Sequence, residues 1–270
     1  MTEEKGHKIV MERSTNLKEL LATLKTYQKV CVAFSGGVDS SLILAAAMEA
    51  LGKDNVMAVT AKGIMTSEEA YQTAVNTALD LNANLMTVEI DAFLVPAFVN
   101  NSTDRCYHCK KAIFTKMVEL SKNNGFDVMV EGSNLDDKSK YRPGKKAIEE
   151  LGVKSPLSNF SKEEIRTMAK ELSLPVWKRP SESCYATRFP YETTLTREMF
   201  AQVAKAEEVI KKAGVTQCRV RVHGEIARVE VLLSEMEIVI KSKLYESLKE
   251  LGFKYVTLDL GGFRSGSMDE

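Results

Sequence analysis

The sequence predicts an α/β protein: a doubly wound parallel sheet, followed by a smaller C-terminal α+β domain. Three observations carry this. Short apolar runs alternate with runs of helical period from Ser14 to Ser133. A glycine pair, Gly36-Gly37, stands where the first apolar run gives way to a helix. At Arg197 the pattern changes to a helix, a strand pair, a helix and a strand.

Taken in order, Leu17, Leu20, Leu21 and Leu24 fall at helical spacing and predict a helix over 14–27. The apolar run 29–34 reads as the first strand, and 39–51 as a buried helix closed by Gly52. A strand over 55–61 and a helix over 67–81 follow, the helix opened by Ser67-Glu68-Glu69-Ala70. Strands are expected at 84–90 and 127–131, with a helix over 109–123 between them. A helix after Gly144 and another over 161–172 complete the first part. The stretch 174–191 has prolines and no period, and is expected to cross between domains, dividing the chain into 1–180 and 181–270. Strands at 218–222, 226–232 and 255–258 belong to the second domain. Ligands of such sheets bind beyond the carboxyl ends of the strands, where Ser35, Ala61-Lys62 and Gly132-Ser133 fall.

Composition narrows the function. Of 270 residues, 44% are apolar and 27% charged, enough to bury a core without staples. Lys plus Arg equals Asp plus Glu at 37 each, so no global field draws in nucleic acid or an anionic membrane, and a small-molecule partner is expected. Residues 1–10 are charged and lack the apolar core of a leader peptide, and no stretch approaches the ~18 apolar residues of a membrane span. Five cysteines without scaffold density fit a cytoplasmic setting, where clustered thiols serve metals or catalysis.

The segment Ser35-Gly36-Gly37-Val38-Asp39-Ser40-Ser41 lies between strand and helix. Its glycines let the backbone approach phosphate oxygens, and the helix start offers N–H groups and a positive dipole end. Asp39 beside phosphates requires a countercharge, and Mg²⁺ is the one expected. The lysine of a Walker A loop is missing. The segment instead resembles the SGGxDS loop of the PP-loop ATP-pyrophosphatases, with their adenine nucleotide alpha-hydrolase-like fold. That resemblance implies cleavage of ATP between its α and β phosphates. The expected nucleotide contacts are Ala33, Ser35, Gly36, Gly37, Val38, Asp39, Ser40, Thr60, Gly132 and Arg105.

Cys31 and Cys218 sit in strands and read as packing residues. Cys106 and Cys109 form a C-x-x-C pair opening a helix, and Cys184 lies in a loop between Arg179 and Arg188. Both settings favour thiolate. The three could hold three irons of a [4Fe–4S] cluster; a zinc site completed by His108, or no metal at all, are the other readings. Arg219 and Arg221 alternate on a strand and so share one side, either a phosphate grip or a solvated face.

Five segments together resemble the LarE-type ATP-dependent sulfur transferases: SGGVDSS, RCYHCKKAIF, PSESCYATRFPY, CRVRVHG and LDLGGFRSGSM. The resemblance runs over nearly the whole chain. It implies adenylylation of the carboxylates of pyridinium-3,5-biscarboxylic acid mononucleotide and their conversion to thiocarboxylates, on the route to the nickel-pincer nucleotide of lactate racemase-type enzymes. It also implies a homo-oligomer, up to a hexamer. Catalytic roles would fall to Cys184, Cys106, Cys109 and Glu208, with Glu207 adjoining, and phosphate binding to Arg219, Arg221 and Arg264. Sulfur would come from a cluster on the three cysteines or, sacrificially, from Cys184. The competing readings are a tRNA-thiolating enzyme, an amidating ligase and a nucleotide-binding sensor.

Overall fold

The computed structural model describes residues 13–137, 143–179 and 182–269. The 1–10 stretch and the 180/181 division therefore lie outside the described residues. Helix α1 spans Thr15–Lys25, its Ser14 cap accepting a hydrogen bond from the Leu17 amide. Strand β1 (Val30–Ala33) leads through the glycine loop into α2 (Val38–Leu51). Strand β2 (Val56–Lys62), α3 (Glu68–Asp80) and β3 (Asn84–Glu89) follow, then the one-turn α4 (Pro96–Val99). Next come α5 (Arg105–Asn123), a two-residue β4 (Met129–Val130), α6 (Gly144–Glu150) and α7 (Lys162–Glu171).

The four strands are parallel in the order β3-β2-β1-β4. The chain thus moves outward from β1 through β2 to β3, then returns to the other side of β1. The switch point lies between β1 and β4, where this architecture binds ligands. Alternation along the strands sorts the two cores. Val30, Val32, Val56 and Ala58 pack against α1, α2, α3 and α7, while Cys31, Met57 and Val59 pack with Phe114, Met117 and Ile148 of α5 and α6. That two-sided cover is the doubly wound fold the sequence predicts.

Helix α5 begins four residues before the expected 109, so Cys106 and Cys109 both lie inside its first turns. The 174–191 stretch is not wholly irregular: Pro175–Lys178 and Tyr185–Arg188 form short 3-10 turns. The C-terminal part has α8 (Arg197–Lys212), an antiparallel pair β5 (Cys218–His223) and β6 (Ile226–Val231), then α9 (Met236–Lys241) and α10 (Tyr245–Glu250), two helices where one was expected. Strand β7 (Tyr255–Leu258) pairs in parallel with β6.

Phe200, Val203, Ala206 and Ile210 of α8 pack on Val220, Val222, Ala227 and Val229 of the second sheet. The same cluster takes in Met65, Ile90, Ala92 and Phe98 from the first part, with Phe98 and Phe200 ring centroids 5.7 Å apart. The two parts therefore share a core, and the stretch before α8 is bound into it. Among the described residues no helix is long and apolar enough to cross a membrane.

Candidate active site

The glycine loop is held by its own hydroxyls. Ser40 Oγ accepts from the Ser35 amide at 3.2 Å and donates to the Gly37 carbonyl at 3.2 Å, and Ser35 Oγ lies 3.1 Å from it. Gly36 has φ of 72°, and a Cβ there would stand 2.7 Å from the Ala74 Cα of α3. Only glycine fits both the angle and the space. Gly37 caps α2 with no side chain over its first N–H groups. That end remains available to an anion.

Asp39, in the first turn of α2, is the charged centre. A Cβ on Gly132 would lie 2.9 Å from the Asp39 Cβ, so the loops after β1 and β4 meet there, as the strand ends predict. Asn134 Nδ2 donates to Asp39 Oδ1 at 3.4 Å, and Lys162 Nζ donates to Asp39 Oδ2 at 2.5 Å. Lys162 is a residue the sequence reading missed. Its signal lies in Ser161-Lys162-Glu163-Glu164: a capping box starts α7 here and aims its first lysine into the crevice. Asn134 Oδ1 is buried without a hydrogen-bond partner. A carboxylate beside an unsatisfied amide oxygen is a donor set that suits Mg²⁺. Thr60 is buried on β2, one strand over.

The three cysteines act on one another. Burial pushes the Cys109 thiol up to about 12, with Cys184 and Cys106 adding to the rise. Burial likewise raises Cys184 to about 11, again with a contribution from Cys106. Desolvation thus works against the thiolate settings expected for Cys109 and Cys184, opposing the helix start and the arginines. Among the described residues no group of three or more His, Cys, Asp and Glu side chains is placed to hold a metal ion. The fully buried Cys31 and Cys218 pack in their strands. Arg105, also buried, stacks on Tyr191 at 4.4 Å, leaves its NH1 without a partner, and acts on Cys184. It therefore belongs to the cysteine side of the crevice.

Between α3 and α8 lies a cavity of about 970 Å³. Lys62 and Tyr71 form one wall; Ser183, Tyr185, Arg188 and Arg219 line another. Strand β5 is not a solvated face: Arg219 and Arg221 are 6% and 3% exposed. Burial holds both guanidiniums below their usual pKa, and Arg188 presses the same way on each. Arg221 Nε donates to Glu230 Oε2 at 3.0 Å, and Arg264 NH1 to Asp259 Oδ1 at 3.4 Å.

Glu208 and Glu207 both line the cavity in different states. Glu208 is exposed and paired with Lys205 and Lys212, which hold its carboxyl below the usual range. Glu207 is buried, its two oxygens on Arg188. Sequence spacing carries no sign of that pair, since Arg188 reaches Glu207 only after the cysteine loop folds onto α8.

Known proteins match this chain at two levels. The NAD synthase family matches residues 9–183. A pyridinium-3,5-bisthiocarboxylic acid mononucleotide synthase of Lactiplantibacillus plantarum is 39% identical over 95% of this chain and 95% of its own length. Uncharacterised proteins of Synechocystis sp. and Methanocaldococcus jannaschii are 32% and 30% identical, over 94% and 96% of the chain and 96% and 98% of their own lengths.

Proposed function

Because the chain belongs to the pyridinium-3,5-bisthiocarboxylic acid mononucleotide synthase family, ATP-dependent sulfurtransferases on an NAD synthase-type PP-loop fold, we propose that it sulfurates the carboxylates of a pyridinium dicarboxylate mononucleotide. The observation that carries the reading is a shared wall. Ser183, Tyr185 and Arg188 around Cys184 line the same cavity as Arg219 of β5. A sulfur donor and a phosphate-binding guanidinium then face one substrate.

The glycine loop and the start of α2 receive the pyrophosphate end of ATP, while Asp39 and Asn134 supply oxygen ligands for Mg²⁺. Mg²⁺ held there would supply countercharge to the leaving pyrophosphate, and Lys162, which pairs with Asp39, is the lysine placed to bind the phosphate oxygens. A substrate carboxylate oxygen attacks the α-phosphorus, forming the acyl adenylate as the bond to the leaving pyrophosphate breaks. Sulfur then bonds to the acyl carbon, and AMP leaves with the carboxylate oxygen. Arg219 is the cavity-lining member of the proposed phosphate grip, and Glu208 the exposed acid at the cavity rim; Arg221 and Arg264 stand behind it, bonded to Glu230 and Asp259.

Cys106, Cys109 and Cys184 are the proposed sulfur site. Three cysteines match a [4Fe–4S] cluster in kind and number, although no group of three among the described residues stands ready to hold a metal ion. Such a cluster, when bound, supplies an open iron that can carry added sulfide. Single-turnover loss of sulfur from Cys184 is the second reading, favoured by its place in the cavity-lining loop. The product would serve nickel-pincer nucleotide synthesis for lactate racemase-type enzymes in the cytoplasm. A homo-oligomer is part of the same proposal.

The test is pyrophosphate release with and without the pyridinium dicarboxylate mononucleotide, read beside the product's mass. Release that depends on this acid, with oxygen replaced by sulfur in the product, is expected. Release indifferent to it would overturn the reading.

A further inference from the structure

We propose that the buried Arg188–Glu207 ion pair is a positioning device that holds the Cys184 loop in register with strand β5. The inference rests on the sulfur-transfer reading above, but its geometry is independent of the chemistry. Both side chains are all but sealed from solvent, 3% and 6% exposed. Arg188 Nε donates to Glu207 Oε1 at 2.8 Å and NH2 to Oε2 at 3.1 Å, a bidentate fork. Glu207 Oε1 also accepts from the Val220 amide of β5 at 3.0 Å.

The remaining nitrogen, NH1, gathers the cysteine loop. It donates to the Ser183 carbonyl at 3.1 Å, Ser183 Oγ at 2.7 Å, the Cys184 carbonyl at 3.2 Å and Thr187 Oγ1 at 2.9 Å. Thr187 Oγ1 donates in turn to the Cys184 carbonyl at 2.8 Å, and Arg221 NH1 to the Thr187 carbonyl at 2.9 Å. One guanidinium therefore joins the backbone of the cysteine to an acid that also holds the amide between Arg219 and Arg221.

Two other roles for Glu207 fit less well. A general base needs an oxygen free to face the substrate, and both oxygens are engaged. A purely stabilising role is weak ground, because apolar residues often replace a buried ion pair without loss of fold. What apolar residues cannot do is hold two carbonyl oxygens at fixed distances from β5. Sulfur transfer needs that register, since a misplacement of about 1 Å can cost about a hundredfold in rate.

The experiment compares R188K, E207Q and the neutral pair R188M/E207Q with the wild-type chain, labelling protein stripped of metal and assaying both half-reactions in protein supplied with ATP, Mg²⁺, iron and sulfide. Alkylation of Cys184 by iodoacetamide is read peptide by peptide, with buried Cys31 and Cys218 as internal measures of folding. Pyrophosphate release and thiocarboxylate formation are followed in parallel. Lysine keeps the charge but cannot form the fork. All three variants are expected to label Cys184 at least about tenfold faster, and to lose sulfur transfer by about a hundredfold while pyrophosphate release falls far less. The neutral pair keeps an acceptor for Val220 and removes both charges, so it should stay folded; if it does not, R188K alone decides by the same readouts. Cys184 labelling at the wild-type rate in the folded variants would overturn the proposal, as would equal losses in both half-reactions. Wild-type protein that releases no pyrophosphate would count against the sulfur-transfer reading, and the labelling result would still decide this one.

Discussion

Lys162 grips Asp39 across 123 residues of sequence, Nζ to Oδ2 at 2.5 Å, and so ties the first turn of α7 to the first turn of α2. The carboxylate that sequence reasoning reserved for a metal has a countercharge of its own in Lys162. Asp39→Ala should therefore abolish AMP transfer with the fold intact. Pyrophosphate release within about tenfold of wild type (~1.4 kcal/mol) would be too small a loss for a metal ligand. Lys162→Ala should fail differently, raising the KM for ATP while letting the ATP-free protein bind Mg²⁺ more tightly. Titration with Mg²⁺ alone distinguishes the two.

Gly132→Ala places a methyl 2.9 Å from the Asp39 Cβ, with the Ser40 amide 3.4 Å away. Asp39 must move, so ATP use should drop by tenfold or more. Melting should change less than for Gly36→Ala, where the new Cβ meets the α3 backbone at 2.7 Å and φ is 72°. Equal effects of the two on ATP use and on Tm would argue against this division of roles.

Arg219→Ala and Arg221→Ala should part company. Loss of Arg221 strips Glu230 of a buried partner, leaving Arg228 at 3.3 Å and Ser267, and should cost up to about 3–5 kcal/mol of stability. Arg219 lines the cavity, and its loss should weaken use of the phosphorylated substrate more than ATP binding. Calorimetric titration with each ligand checks both outcomes.

Cys184 and Cys109 should alkylate slowly at neutral pH in metal-free protein, with rates still climbing toward about 11 and about 12. The sign follows from burial: both folded pKa values lie above the ordinary thiol value of 9.0, so the native chain keeps protons that the unfolded chain loses. Stability from these groups is intact below 9.0 and is lost as pH rises toward 11 and 12. Rate profiles with midpoints near 9.0 would contradict this.

The parallel, two-sided sheet followed from the alternation of strands and helices, because apolar runs and glycine punctuation are local signals, and the glycine loop was legible for the same reason; the strand order was not. The cysteines and arginines of the candidate site were legible as residues but not as states. Burial, which needs the fold, pushes the Cys109 and Cys184 thiols up, and packing makes Glu207 rather than Glu208 the partner of Arg188. Lys162 and Arg188 escaped for one reason: each meets its partner only after distant segments pack, 123 and 19 residues away.

The central claim is that three cysteines form one sulfur-delivery site in an adenylylating enzyme. Its most direct test counts thiocarboxylate formed per chain by anaerobically prepared, iron-loaded protein supplied with ATP, Mg²⁺, sulfide and the pyridinium dicarboxylate mononucleotide. The account predicts many products per chain for wild type. Cys106→Ala, Cys109→Ala and Cys184→Ala should each make at most one, and Cys184→Ala none. Repeated turnover by all three variants would contradict it.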